Sequence, residues 1–171
     1  TGADIREGWS VDRFSSDATG VEVEATDPDG KQFKFRAGYL IDASGRGNLT
    51  GNQEGTRVMH PKHKKVAIFA HFTGVRRDEG QAATDIIIVR LENKWFWIIP
   101  IGEEKTSVGL VIDAEEFAKE QGTREEIFER VVESSPPIKE RMANAQRVGE
   151  MRTTSDFSYS NSRLVGDRLL R

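Results

Sequence analysis

Two stretches of this chain have residue types and spacings that could do chemistry. The first is Trp95-Phe96-Trp97-Ile98-Ile99-Pro100, whose aromatic rings would each bury roughly 150–250 Å² when packed. In a strand, side chains alternate between faces. Trp95, Trp97 and Ile99 then share one face, and Phe96 and Ile98 share the other. Pro100 lacks an N–H and can end the ladder. A strand apolar on both faces is expected to be covered on both. It is either an ordinary core strand or a wall of rings beside a planar ligand.

The second stretch is Tyr39-Leu40-Ile41-Asp42-Ala43-Ser44-Gly45-Arg46-Gly47, a short apolar strand running into small residues. Two readings stand side by side. It is a tight exit turn from a buried strand, or a corner whose small residues admit a ligand and whose amides form a concave anion site. It is not a dinucleotide fingerprint, because Thr50 stands where the third glycine would be.

Acid–base and metal chemistry find little support. His60 and His63 are three apart, but Pro61 argues against a helix and the flanking lysines repel a cation, so no metal site is expected. His71, between Ala70 and Phe72, reads as a hydrogen-bonded core histidine. Glu103 and Glu104 fall in an exposed turn. No nucleophile elbow, P-loop or H-E-x-x-H motif is present, and no Ser-His-Asp arrangement follows from spacing. The chain has no cysteine, which excludes disulfides, thiolate metal sites and cysteine nucleophiles.

The elements that must position these residues follow from periodicity. Ser10 to Arg13, Val21 to Thr26 and Lys31 to Arg36 read as strands, the last two joined by the turn Asp27-Pro28-Asp29-Gly30. Residues 48–65 read as a polar loop or crossover. Val66 to Val75, Asp85 to Leu91, Trp95 to Pro100 and Thr106 to Ile112 form an antiparallel meander, with the Trp strand between two neighbours. Three helices follow. Asp113 with Glu116 and Thr123 with Glu126 cap the first two, and Ser135-Pro136 opens the third. Val148 to Arg152 and Phe157 to Tyr159 read as extended returns, and Arg163 to Leu170 as a last strand.

A length of 171 residues allows a sizeable core, and the net charge of -3 with interspersed signs gives no electrostatic case for nucleic acid or an anionic membrane. No apolar run reaches the roughly 18–20 residues of a membrane span, and no signal peptide opens the chain. A cytoplasmic location is the expectation. Both ends read as cut, which points to a piece from the middle of a longer protein.

The Trp strand resembles the W-x-W-x-I-P signature of flavin-dependent halogenases at every fixed position. The chain is also similar to the wider set of FAD-dependent oxidoreductases that includes geranylgeranyl reductases. Asp42-Ala43-Ser44-Gly45-Arg46 resembles that set's D-A-S-G-R element. Ala70-His71-Phe72, the Trp strand and Thr106-Ser107-Val108-Gly109 follow in the same order. The resemblance implies that Ala43, Ser44, Gly45 and Arg46 approach an FAD cofactor. It also implies that Trp95, Trp97, Ile99 and Pro100 border the substrate and keep it away from the flavin. The family oxidises halide with reduced flavin and O2, and its lysine that orients the halogenating species lies upstream of this region, so no catalytic residue is assigned.

The expected fold is α+β, a mostly antiparallel sheet with helices on one side plus part of an FAD-binding region. Residues 1–58 are the partial FAD-binding region, and residues 59–171 a substrate-binding domain truncated at its C-terminus. The expected function is the central part of a halogenase-like, FAD-dependent oxidoreductase acting on an aromatic or hydrophobic organic substrate, with a flavin reductase as partner. Alone, this piece is expected to be inactive and free of FAD. The alternatives are a geranylgeranyl reductase-like enzyme and a non-catalytic module that binds a hydrophobic ligand.

Overall fold

The computed structural model describes residues 2–60 and 64–171, so His63 of the rejected histidine pair lies outside the described residues. The chain divides into two compact units, Thr1–His60 with Phe157–Arg171, and Pro61–Asp156.

The first unit opens with strands β1 (Ser10–Asp17), β2 (Gly20–Thr26) and β3 (Gln32–Ala37), an antiparallel sheet in the order β1-β2-β3. Its second connection is the expected turn. The Gly30 N–H donates to the Asp27 carbonyl at 3.0 Å, and the Asp27 carboxylate accepts from the Asp29 and Lys31 amides at 3.0 and 2.8 Å. Gly30 takes φ 82°, a conformation that an L side chain resists. Strand β4 (Leu40–Ile41) is only two residues long and leads to a 3-10 turn over Gly45–Gly47.

Residues 48–60 are not a plain loop, although the chain does pass between the two units at the end of this stretch. They hold helix α1 (Leu49–Gln53) and strand β5 (Arg57–Met59). Helix α1 has no apolar stripe to announce it, because polar tertiary contacts hold it. The Gln53 amide exchanges two hydrogen bonds with the backbone of Phe14, accepting from its N–H at 3.0 Å and donating to its carbonyl at 2.6 Å.

The second unit is built on a five-stranded antiparallel sheet. Its members are β6 (Lys65–Thr73), β7 (Ile87–Arg90), β8 (Lys94–Ile101), β9 (Lys105–Asp113) and β10 (Gln146–Ser155), in the order β10-β6-β9-β8-β7. Helices α2 (Ala114–Phe117), α3 (Arg124–Ser134) and α4 (Pro136–Met142) lie between β9 and β10 in sequence. Ile127, Phe128, Val131, Val132 and Ile138 of α3 and α4 pack in one core with Ile68, Ala70, Phe72, Phe96, Ile98, Val108 and Leu110 of the sheet. The Phe128 ring meets Phe96 edge-on at 5.6 Å and stacks on Phe72 at 5.9 Å, both geometries that aromatic quadrupoles favour. Helices therefore cover one face of this sheet.

Helix α3 starts as its sequence requires. Thr123 Oγ1 accepts from the Glu126 N–H, and the Glu126 carboxylate accepts from the Thr123 N–H, a complete capping box. The Asp113 cap does not form. Its carboxylate instead accepts from Lys65 Nζ at 2.6 Å across the β6–β9 ladder, so the nearer cation takes the oxygen that the helix would have used. Pro100 does not end its strand either. It pairs with Thr106 inside the β8–β9 ladder, and β7 reaches only as far as Ile98 on the other side. The missing N–H therefore lies past the end of the neighbouring strand.

The chain then returns to the first unit through β11 (Tyr159–Asn161), β12 (Val165–Gly166) and β13 (Leu169–Leu170). Strand β11 pairs with β5, and β13 pairs with β4 in parallel. The last stretch is thus a short hairpin, turning at Asp167-Arg168 with Arg168 at φ 59°, rather than one strand. Leu169 is buried with Phe14 and Val21 in a second core. Residues 157–171 group with the first compact unit. Their cross-strand partners in β5 and β4 lie 100 or more residues earlier, beyond the reach of local periodicity. Among the described residues, no helix is long and apolar enough to cross a membrane.

Candidate functional site

In the first unit, Asp42 organises the corner after β4. Its Oδ1 accepts from the Ser44 N–H at 2.9 Å, and its Oδ2 accepts from the Thr50 N–H at 2.8 Å and hydroxyl at 2.5 Å. Partial burial pushes this carboxyl up, but the hydrogen bonds from Ser44 and Thr50 outweigh it and hold the group down at about 2. Asp42 is ionised at neutral pH and ties the corner to the start of α1. The Ser44 hydroxyl accepts from the Leu49 N–H at 3.0 Å, so it serves as a turn-closing acceptor.

Two residues behind the corner fix its far side. Asn48 takes the left-handed conformation (φ 45°, ψ 49°), is buried, and exchanges two amide hydrogen bonds with Asn161 at 3.0 and 2.9 Å. The pair lies over Gly51, where a Cβ would come within 2.3 Å of the Asn48 side-chain oxygen. The Tyr159 hydroxyl donates to the Gly45 carbonyl, and the Arg46 guanidinium lies 4.2 Å from the centre of the Phe157 ring. Arg171, almost fully buried, donates to Thr50 Oγ1 at 2.9 Å and to the Glu54 carboxylate.

This framework leaves Ala43, Ser44, Gly45 and Arg46 exposed at its surface. Gly45 has φ 56°, and a Cβ built on it meets nothing within 4 Å. The backbone at Gly45 is open to a close-approaching group. The sequence singled out Ala43 to Arg46. It missed Asn48, Thr50, Tyr159, Asn161 and Arg171, for which no local pattern exists.

In the second unit, strand alternation and register put Trp95, Trp97 and Ile99 on the sheet face opposite the helices. Ile88 and Arg90 of β7, Ser107, Gly109 and Val111 of β9, and Phe69 and His71 of β6 share that face through their cross-strand pairs. The expectation that β8 is covered on both faces therefore fails. Phe96 and Ile98 are sealed beneath the helices, while Trp95, Trp97 and Ile99 are half-buried within the unit. The two indoles are not locked in a compact interior. His71 is exposed on this open face rather than buried in the core. Pro100 parts from its proposed companions, because alternation sets it on the side of Phe96 and Ile98.

The strip has a defined shape. The Trp95 and Trp97 rings lie 6.0 Å apart at 53°, and Phe69 meets Trp97 at 5.8 Å and 44°. The Trp97 indole N–H donates to Ser107 Oγ at 3.0 Å. Beside Trp95, a groove of about 540 Å³ is lined by Lys65, Ile88, Arg90, Leu91, Asn93 and Lys94. Lys65 and Lys94 there are engaged by Asp113 and Glu116. Among the described residues, no group of three or more His, Cys, Asp or Glu side chains could hold a metal ion. The arrangement offers flat apolar contact and close backbone approach, and little acid–base machinery.

No family model matches the chain. The proteins it resembles include flavin-dependent halogenases and, among solved structures, a flavoprotein/dehydrogenase from Cytophaga hutchinsonii. A pyrrole-2-carbonyl-[peptidyl-carrier protein] brominase of Pseudoalteromonas luteoviolacea is 34% identical over 143 residues, 81% of this chain and 35% of that protein. The tetracycline 7-halogenase of Kitasatospora aureofaciens is 30% identical over 188 aligned residues, 98% of this chain and 33% of that protein. The solved structure of the myxobacterial chondrochloren halogenase CndH superposes with a TM-score of 0.86 at 28% identity, over 99% of this chain and 40% of that one. The chain therefore spans about a third of the length of the curated relatives it matches.

Proposed function

We propose that the chain forms the central part of an FAD-dependent, halogenase-like enzyme that acts on an electron-rich aromatic substrate. The observation that carries this reading is the half-open strip of Trp95, Trp97 and Ile99, in a chain whose relatives are halogenases of carrier-bound pyrrole and of tetracycline. In the reading, residues 1–60 with 157–171 contribute to holding FAD, and residues 61–156 contribute the substrate wall.

Ala43, Ser44, Gly45 and Arg46 are the residues that would meet FAD. Bound and reduced FAD would supply two electrons to O2, so that aromatic C–H, halide and a proton give aryl halide, oxidised flavin and two waters. The chain's own residues do the positioning. Asp42 keeps the Ser44 and Thr50 amides engaged, and Tyr159 holds the Gly45 carbonyl, so the exposed backbone keeps one shape. Trp95, Trp97 and Ile99 present a surface without hydrogen-bond acceptors, which favours a flat ring over water and leaves it in a fixed plane. No residue of this chain is given a proton-transfer role.

The test uses the full-length protein with FAD, a flavin reductase, NADH and bromide, and a panel of pyrroles and phenols. The expected result is a product with the bromine isotope doublet by mass spectrometry, and none from residues 1–171 alone. Full reduction of FAD without brominated product, or saturation of a prenyl double bond in place of bromination, would overturn the reading.

A further inference from the structure

Gly109 and Ser107 stand opposite Trp97 and Ile99 in the β8–β9 ladder, and the way Trp97 meets them is unusual. A Cβ placed on Gly109 would lie 2.2 Å from Trp97 Cζ2, 2.4 Å from Cε2 and 2.5 Å from Cη2. These are three consecutive ring atoms at nearly equal distances, so the Cβ would strike the face of the indole rather than its edge. The six-membered ring of Trp97 therefore lies across the bare backbone of β9. Real Cβ atoms do not approach within 3.0 Å of another heavy atom, so no other residue at 109 leaves the ring where it is.

Ser107 sets the remaining freedom. Its hydroxyl accepts the indole N–H at 3.0 Å, which selects one of the two ways the ring could face over the glycine. Phe69 and Trp95 flank the ring on its other sides. The seat thus consists of a missing side chain below, an acceptor at one edge and aromatic rings alongside. One broad face of the indole is left pointing away from the sheet.

We infer that Ser107 and Gly109 are positioning residues, which press the Trp97 indole onto β9 so that its outer face forms a flat stacking surface for the aromatic substrate. The inference rests on the proposed function for what is stacked there, but not for the seat itself. The glycine makes the indole low and level, so the floor is flat. The serine keeps the indole from swinging up into the space a substrate ring would occupy.

The experiment uses the full-length protein and the variants G109A, S107A, S107T and W97F. Two readouts are taken. The first is the exciton couplet in circular dichroism from the closely spaced Trp95 and Trp97 rings, defined by what W97F removes. The second is brominated product per NADH consumed, with KM and kcat for the aromatic substrate measured separately. G109A is expected to lose the couplet and most of the product yield. S107A is expected to lower product per NADH by roughly 2–10-fold, the worth of one neutral hydrogen bond, with S107T restoring it. An unchanged couplet in a folded G109A overturns the seat. A lost couplet with unchanged coupling and KM overturns the positioning role. If G109A does not fold, S107A decides, and its failure to alter either readout overturns the inference. A wild type that brominates nothing refutes the functional reading instead, and the couplet then still judges the seat.

Discussion

A single carboxylate sets the shape of the corner that would meet the cofactor. Asp42 accepts three hydrogen bonds from Ser44 and Thr50, and Thr50 is completely buried. Replacing Asp42 with Ala leaves the buried Thr50 amide and hydroxyl without that acceptor. The expected loss is about 2–3 kcal/mol of stability, measured by urea unfolding. The same carboxylate makes stability depend on acid. Its ordinary value of 3.8 falls to about 2 on folding, so the native state binds fewer protons there than the unfolded chain. The stabilisation is complete above pH 3.8 and fades as pH falls towards 2. The D42N variant should show a flatter acid limb across that window than wild type, relative to its own stability at pH 7. An identical slope in both proteins would count against the assignment.

At the scale of elements, the second unit depends on strands that have different demands on their two faces. Strand β8 meets the helices with Phe96 and Ile98 and leaves its indoles outward, so one element serves both the core and the candidate site. Helix α3 presses Phe128 onto Phe96 and Phe72, and its first turn is fixed by Thr123. Thr123→Ala should lower stability by about 0.5–2 kcal/mol, read as a lower urea midpoint at unchanged slope. It should leave the Trp95–Trp97 couplet intact, because the cap touches only the helical side. Much of this layer was legible in advance. The capping box, the Ile127-Val131 and Phe128-Val132 pairs, the Asp27–Gly30 turn and the β7-β8-β9 meander follow from local spacing, whereas the pairing of β6 with β9 instead of β7 does not. Asp113 and Pro100 misled for one reason. A cap and a ladder end each depend on which neighbour is present, Lys65 in one case and the reach of β7 in the other.

At the scale of the whole chain, the C-terminal fifteen residues complete a unit begun at the N-terminus. Strands β11 and β13 supply partners for β5 and β4, Asn161 pairs with Asn48, and Leu169 fills the core beside Phe14. Removing residues 157–171 should raise amide hydrogen exchange across residues 40–59. Protection in β6, β8 and β9, which draw their partners from the second unit, should persist. Uniform loss of protection would show that the two units fold as one. The sequence by itself determined the antiparallel β7-β8-β9 meander, the starts of α3 and α4 and the two stretches worth testing, because alternation, caps and turns are encoded within a few residues. Only the tertiary structure decided that α1 exists, that the last strands close the first unit, that His71 and the indoles share an open face, and that Gly109 seats Trp97. Each of those depends on a contact between residues far apart in sequence, and no local pattern records which distant backbone will arrive.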